Sequence, residues 1–142
     1  MRKRRERQEA IRRIVRAEKI RTQRELVERL EALKFECTQA TVSRDITDMG
    51  LKKLPEGVYV LAEDLHLQRM VADLVMWVKR TNNLVLVKAQ AGTAPGVAAA
   101  LDGAELDGIL GSVSGDDTIL VIVESEEHGE QLVATLDKFR GA

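Results

Sequence analysis

Apolar positions along this chain recur first at helical spacing, then at strand spacing, and then in a mixture of the two. Ile11, Ile14, Val15 and Ile20 mark the inner face of a helix expected over residues 4–19. Leu26, Val27, Leu30 and Leu33 mark a second helix. Thr22-Gln23-Arg24-Glu25 opens it as a capping box, with the hydroxyl as cap and the glutamate reaching back. After a break at Lys34 to Cys37, Val42, Ile46 and Met49 recur at i, i+4 and i+7 and predict a third helix. Thr38 suits its N-cap and Gly50 its C′ stop. Helix, break, helix, short turn, helix is the arrangement of a helix-turn-helix domain whose third helix is the reader. The pattern then becomes extended. Residues 51–54 and 58–61 flank Pro55-Glu56-Gly57, a turn with Pro and Gly where a tight turn needs them. That hairpin, with Val58, Val60 and Leu61 in the core, makes the domain a winged helix. Lys52 and Lys53 would stand near a nucleic-acid backbone.

Ala62-Glu63-Asp64 reads as a hinge, dividing the chain into domains 1–63 and 64–142. Leu67, Met70, Val71, Leu74, Val75 and Val78 keep helical spacing and predict one long helix running to Lys79-Arg80, with Trp77 off the stripe and suited to an interface. Thr81-Asn82-Asn83 breaks it. Leu84-Val85-Leu86-Val87 is a continuous apolar run, as in a strand covered on both faces. A loop over Gln90 to Ala94 leads into a short helix over 95–101, with Pro95 near its first turn and Asp102-Gly103 at its end. Residues 109–114 and 118–123 predict two strands joined at Gly115-Asp116-Asp117. Leu132, Val133 and Leu136 place an amphipathic helix over 126–139. The fold class is α+β: an N-terminal winged helix-turn-helix domain followed by a small α/β sheet-and-helix oligomerisation domain. The second domain carries more apolar side chains than so small a core requires, and self-association is the simplest outlet. Symmetric assembly also suits a reader of paired half-sites.

Charge sharpens the division. The formal net charge is −1, but residues 1–60 carry +6 and residues 61–142 carry −7. A basic half joined to an acidic half fits a polyanion-binding module tethered to a regulatory or assembly module. Arg2, Lys3, Arg4, Arg5, Arg7, Arg12, Arg13 and Arg16 face only Glu6 and Glu9 in the first helix, a crowding that a phosphate backbone would relieve. On the third helix Gln39, Thr41, Ser43 and Arg44 occupy the face opposite the apolar stripe. Amides read adenine, Arg reads guanine and hydroxyls hold phosphates, so that face suits a major groove. The single Cys37 excludes an intrachain disulfide and implies a reduced, intracellular protein. The charged N-terminus is unlike a signal peptide, and no apolar run is long enough to span a bilayer. A cytoplasmic location is expected.

A second chemical feature is Gly111-Ser112-Val113-Ser114-Gly115-Asp116-Asp117-Thr118. Asp and Gly are ordinary turn residues. Two carboxylates in one loop also attract a cation, either a metal or an organic cation such as guanidinium. A metal site needs more ligands than this neighbourhood offers, with His66 and His128 isolated in sequence. No nucleophile and base stand in a recognisable motif, so no catalytic residues are expected.

With both features in place, the chain resembles the bacterial arginine repressor family over nearly its full length. The resemblance rests on the reader helix Thr38-Gln39-Ala40-Thr41-Val42-Ser43-Arg44-Asp45-Ile46, the middle-helix entry Thr93-Ala94-Pro95-Gly96, and the loop Gly111-Ser112-Val113-Ser114-Gly115-Asp116-Asp117-Thr118-Ile119-Leu120. It implies a repressor of arginine-metabolism genes, with double-stranded operator DNA as partner and L-arginine as effector rather than a cofactor. It also implies a C-terminal domain that trimerises, two trimers stacking into a hexamer around L-arginine. Ser43 and Arg44 would then be the principal DNA contacts with Gln39 and Thr41 beside them. Asp116 and Asp117 would hold arginine, joined by Asp102, Ser112 and Ser114. One departure matters, the short wing being a lesser one. Family members usually carry about four more residues, roughly one helical turn, between Pro-Gly and the aspartate matching Asp102. The missing turn leaves the helix in phase but removes a polar side chain from the pocket. Other readings are a winged-helix regulator with a different amino-acid effector, an architectural factor that bends DNA, and a metal-dependent enzyme built on Asp116 and Asp117.

Overall fold

In the computed structural model, which describes residues 2–142, the chain divides between Ala62 and Glu63 into two units, each with its own core. The first contains α1 (Arg2–Ala17), α2 (Gln23–Ala32), α3 (Gln39–Met49) and a hairpin of β1 (Leu51–Lys53) and β2 (Tyr59–Leu61). Ile11, Ile14, Val15 and Ile20 pack with Leu26, Leu30, Val42, Leu51 and Leu61 into one apolar cluster. The hairpin is stitched to the α1–α2 connector by the Tyr59 N–H, which donates to the Ile20 carbonyl at 2.8 Å.

Local chemistry sets the helix ends. Thr38 Oγ1 accepts from the Thr41 N–H at 3.2 Å, and Gly50 closes α3 in the left-handed region at φ 68°. Thr22 Oγ1 accepts from the Glu25 N–H at 3.1 Å, but Glu25 answers the Thr22 hydroxyl at 3.3 Å rather than the backbone. Leu33, expected inward, is 54% exposed. The reason is the way α2 stops. Lys34 turns left-handed at φ 72°, its N–H donates to Glu31, and the Phe35 N–H donates to Leu30. That is a Schellman ending, in which the second residue beyond the cap supplies the apolar contact. Phe35 therefore packs on the core where Leu33 was expected.

The second unit contains α4 (Leu65–Leu74), β3 (Val75–Thr81), β4 (Leu84–Ala89), α5 (Ala94–Gly103), β5 (Ile109–Ser114), β6 (Thr118–Val123) and α6 (Glu126–Arg140). A short 3₁₀ turn at Ala62–Asp64 precedes it. The sheet runs β3-β4-β6-β5 with every neighbour antiparallel. The expected long helix is thus wrong in its second half: the helix stops at Leu74 and residues 75–81 form a strand. A bulge between Val75 and Trp77 explains the misleading spacing. One extra residue lets positions three apart face the same side of a strand, and Val75 and Val78 are both buried. Asn82, at φ 49°, turns a hairpin into β4 and does not simply break a helix.

Val85, Val87 and Ala89 of β4 alternate inward with Ile119, Val121 and Val123 of β6. They meet α5, with Val97 and Leu101 buried, and α6, with Leu132, Leu136 and Phe139 buried, while α4, with Leu67 and Val71 buried, packs on α5, α6 and β3. The opposite face carries Leu84, Leu86, Leu120, Ile122 and Val113, and among the described residues no helix covers it. The expectation of a strand buried on both faces therefore holds for one face only: Leu86 is 37% and Val113 67% exposed.

Gly108, at φ 78°, lets the chain pass the His128 side chain, whose Nδ1 lies 2.8 Å from Ser125 Oγ. A Cβ there would sit 2.2 Å from His128 Cδ2. Gly108→Ala is expected to cost at least about 2 kcal/mol, from left-handed strain together with overpacking. A lower Tm for the second unit in thermal unfolding would show it. An unchanged Tm would mean that His128 swings aside without cost.

Candidate nucleic-acid face and ligand loop

Burial of Val42 and Asp45, with Ile46 and Met49 packed alongside, fixes which side of α3 looks outward. Gln39 and Arg44 are exposed there and Ser43 is half-exposed. Ala40 and Thr47, which the motif did not single out, share that side; Thr47 lies one turn beyond Ser43. Thr41 does not. It is half-buried on the flank, with its hydroxyl 3.0 Å from that of Thr38. The Arg44 guanidinium has no partner among the described residues. On the hairpin Lys52 and Lys53 are exposed, and Lys53 Nζ lies 5.2 Å from the Tyr59 ring centroid.

α3 is held against α1 by charge as well as by apolar packing. Asp45, only 1% exposed, accepts from Arg7 Nε at 2.5 Å, Arg7 Nη2 at 2.9 Å and Gln8 Nε2 at 3.1 Å. Asp48 accepts from Arg4 Nη2 at 2.8 Å. These pairs correct the picture of α1 as a set of mutually repelling cations. Two of its arginines are neutralised by α3, and Arg16 is buried. Lys3, Arg5 and Arg13 remain exposed and unpaired among the described residues, while the Arg2 side chain lies outside them. Burial alone would push the Asp45 carboxyl up. The hydrogen bonds from Arg7 and Gln8 and the Arg7 charge outweigh it and hold Asp45 below the usual carboxylate range.

The 115–117 loop between β5 and β6 is pinned by its backbone. The Gly115 N–H donates to the Thr118 carbonyl at 2.8 Å, the Ala89 N–H to that of Asp117 at 2.7 Å, and the Ala94 N–H to that of Asp116 at 3.2 Å. The Asp117 carboxylate accepts from Lys88 Nζ at 2.5 Å and from the Thr118 hydroxyl at 2.8 Å. Lys88 first, and Thr118 second, draw its pKa below the usual range. The Asp116 side chain is exposed and has no partner among the described residues. Asp102 was expected just past its helix but lies inside the last turn of α5, where it accepts from the Ser112 hydroxyl at 3.3 Å. Ser114 is half-buried at the end of β5.

Strand parity separates these groups. Ser112 and Ser114 stand opposite Val121 and Ile119 on the helix-covered face, whereas Lys88 stands opposite Thr118 on the uncovered one. One protomer therefore brings together Asp102 with Ser112, and separately Asp117 with Lys88 and Thr118. Lys88 carries no motif, and a lone cation alternating with valines in 84–89 was its only signal. No group of three or more His, Cys, Asp or Glu among the described residues is placed to hold a metal ion. No helix among them is long and apolar enough to cross a membrane.

Comparison with known proteins covers both units. The family model described as arginine repressor, DNA binding domain, matches residues 2–67. That described as arginine repressor, C-terminal domain, matches residues 71–138. The chain is 47% identical to the arginine repressor of Thermus thermophilus over an alignment of 147 residues, covering 96% of this chain and 88% of that protein. It is 40% identical to that of Carboxydothermus hydrogenoformans over 144 residues, covering 94% and 96%. It is 38% identical to that of Halothermothrix orenii over 125 residues, covering 80% and 83%.

The Arg7–Asp45 pair has a defined pH signature. Its folded-state carboxyl is depressed, so its contribution is complete above the unfolded value of about pH 4 and is lost as pH falls through the folded value. Asp45→Ala, which strands Arg7, is expected to destabilise the first unit by roughly 3 kcal/mol near neutral pH, at the low end for a buried pair because Arg7 keeps a wet edge. It should also flatten the acid limb of stability against pH. Urea unfolding from neutral pH down to about pH 2 reads both effects. An acid limb as steep as that of the wild type would assign the pH dependence to other carboxylates.

Proposed function

The chain belongs to the arginine repressor family, and from that premise we propose that it represses arginine-metabolism genes, binding operator DNA through α3 with L-arginine as corepressor. The family is one of transcriptional repressors, not enzymes. The observation that carries the reading is the outward face of α3, where an exposed, unpaired Arg44 stands beside Ser43 and Gln39. Arg44 is suited to a two-pronged contact with guanine, Gln39 to adenine and Ser43 to a base edge or phosphate. Thr41, on the flank, Lys52 and Lys53 on the hairpin, and Lys3, Arg5 and Arg13 on α1 are suited to the phosphate backbone. In this reading residues 1–63 form the DNA-binding domain and 64–142 the assembly and effector domain, and the protein acts in the cytoplasm.

L-arginine is assigned to Asp116, Asp117, Asp102, Ser112 and Ser114. Because Ser112, beside Asp102, faces the helices while Lys88, which holds Asp117, faces the other way, a ligand reaching both the loop and Asp102 is most simply shared between subunits. The uncovered face with Leu86, Leu120, Ile122 and Val113 supports self-association, since so broad an apolar sheet surface is costly to leave wet. The assembly proposed is a hexamer made as a dimer of trimers. L-arginine favours it by neutralising carboxylates that would otherwise repel across the interface.

Three measurements test this. Arg44→Ala should lower the preference for operator over scrambled duplex by about 1–3 kcal/mol in gel-shift titrations while leaving the oligomer intact. A preference equal to that of the wild type would remove α3 from base reading. DNA affinity should fall steeply with potassium chloride despite the near-zero net charge, because the basic half governs counterion release. In sedimentation velocity, L-arginine should shift smaller oligomers toward the hexamer, and by linkage it should tighten DNA binding. Identical oligomers and identical DNA affinity at every L-arginine concentration would instead indicate a constitutive architectural DNA-binding factor.

A further inference from the structure

We propose that Lys88 is a positioning residue of the effector loop: its ammonium holds Asp117 as a structural carboxylate and leaves Asp116 as the carboxylate offered to the ligand's cation. This rests on the reading that the 115–117 loop receives L-arginine, and it revises that reading in one respect: it takes Asp117 off the ligand and so separates two aspartates which the sequence presents as equivalent. Both Asp117 oxygens are already engaged, Oδ2 by Lys88 Nζ at 2.5 Å and Oδ1 by the Thr118 hydroxyl at 2.8 Å. A guanidinium pairs best with a carboxylate that has both oxygens free to accept its two parallel N–H groups. Taking Asp117 would require it to displace Lys88 and then to sit beside the stranded ammonium, two like charges at short range.

Asp116 faces none of these obstacles. Its backbone carbonyl is anchored by the Ala94 N–H at 3.2 Å at the start of α5, which orients the residue, while its side chain is exposed and unpartnered among the described residues. Lys88 also sets the charge. With two aspartates and one lysine the loop carries a formal charge of −1, matched to one guanidinium. Its place is secured by register, because Lys88 stands directly across from Thr118, the residue that follows Asp117. Asp117 is thereby clamped between two neighbouring strands of the sheet and, through the Ala89 N–H, to the backbone of the first of them.

The test is calorimetric titration of full-length protein with L-arginine. Asp116→Asn should weaken binding by about ten- to a hundredfold, the loss of a charge-assisted contact. Lys88→Met should also weaken it, and Lys88→Arg should restore it to near wild type, a rescue that a purely space-filling role would not give. The deciding variant is the charge swap. Asp117→Lys and Lys88→Asp should each lose binding, and the double variant should recover most of it, because the pair is remade in reverse while Asp116 is untouched. A double variant as weak as Asp117→Lys alone would place Asp117 on the ligand and overturn the proposal. Should the swapped chain fail to fold, Lys88→Met binding as tightly as the wild type would overturn it equally. If the wild type itself gave no L-arginine signal, the effector reading would fail and this one with it. Wild-type binding with unresponsive Lys88 variants would sink this proposal alone.

Discussion

β4 and β6 pair from Leu84 opposite Ile122 to Lys88 opposite Thr118, and much of the second unit follows from that register. Alternation sends Val85, Val87, Ile119 and Val121 beneath α5 and α6, where they are essentially dry. The same alternation obliges Leu86, Leu120 and Ile122 to look the other way. At its far end it sets Lys88 beside the carboxylate of Asp117. A slip of one residue would exchange the two faces and with them both the core and the loop's cation. Core, uncovered apolar face and acidic loop are thus three consequences of one pairing, and substitutions in any of them are coupled to the others.

In the first unit the strong term and the orienting term differ. Nine buried apolar residues form the cluster shared by the helices and hairpin, and each contributes roughly 1.5–3 kcal/mol by leaving water. The Arg7–Asp45 pair adds little net stability by comparison, because its attraction is largely offset by desolvation. Its value is directional. A bidentate contact fixes the rotation of α3 against α1, and that rotation decides which way Arg44 and Ser43 point. The pair is therefore costly to break at one end only, although replacing both ends by apolar groups could leave stability intact. α5 shows a similar economy: its last turn carries Asp102 within reach of Ser112.

Much of this architecture was legible in the residues alone, and those parts share a short range. Thr38 and Gly50 delimit α3 because cap chemistry acts within one turn. The strands at 109–114 and 118–123 were expected at the bounds they occupy, since Gly115-Asp116-Asp117 is a turn sequence directly preceding the β-branched run 118–123. Reader helix, hairpin, middle-helix entry and acidic loop together pointed to the family that the comparisons then established. What only the tertiary structure decided depends on partners distant in sequence. Residues 75–81 became a strand because β4 was there to pair with, and a bulge disguised their period as helical. Leu33 turned outward because the Schellman ending brought Phe35 to the core instead. Asp45 looked like one more polar residue of a reader helix until α1 placed Arg7 against it, 38 positions away. Asp117 looked like the twin of Asp116 until sheet register placed Lys88, 29 positions away, on one of them and not the other. Caps, turns and apolar period are set by neighbours along the chain. Which charge meets which is set by packing, and no local pattern carries that information.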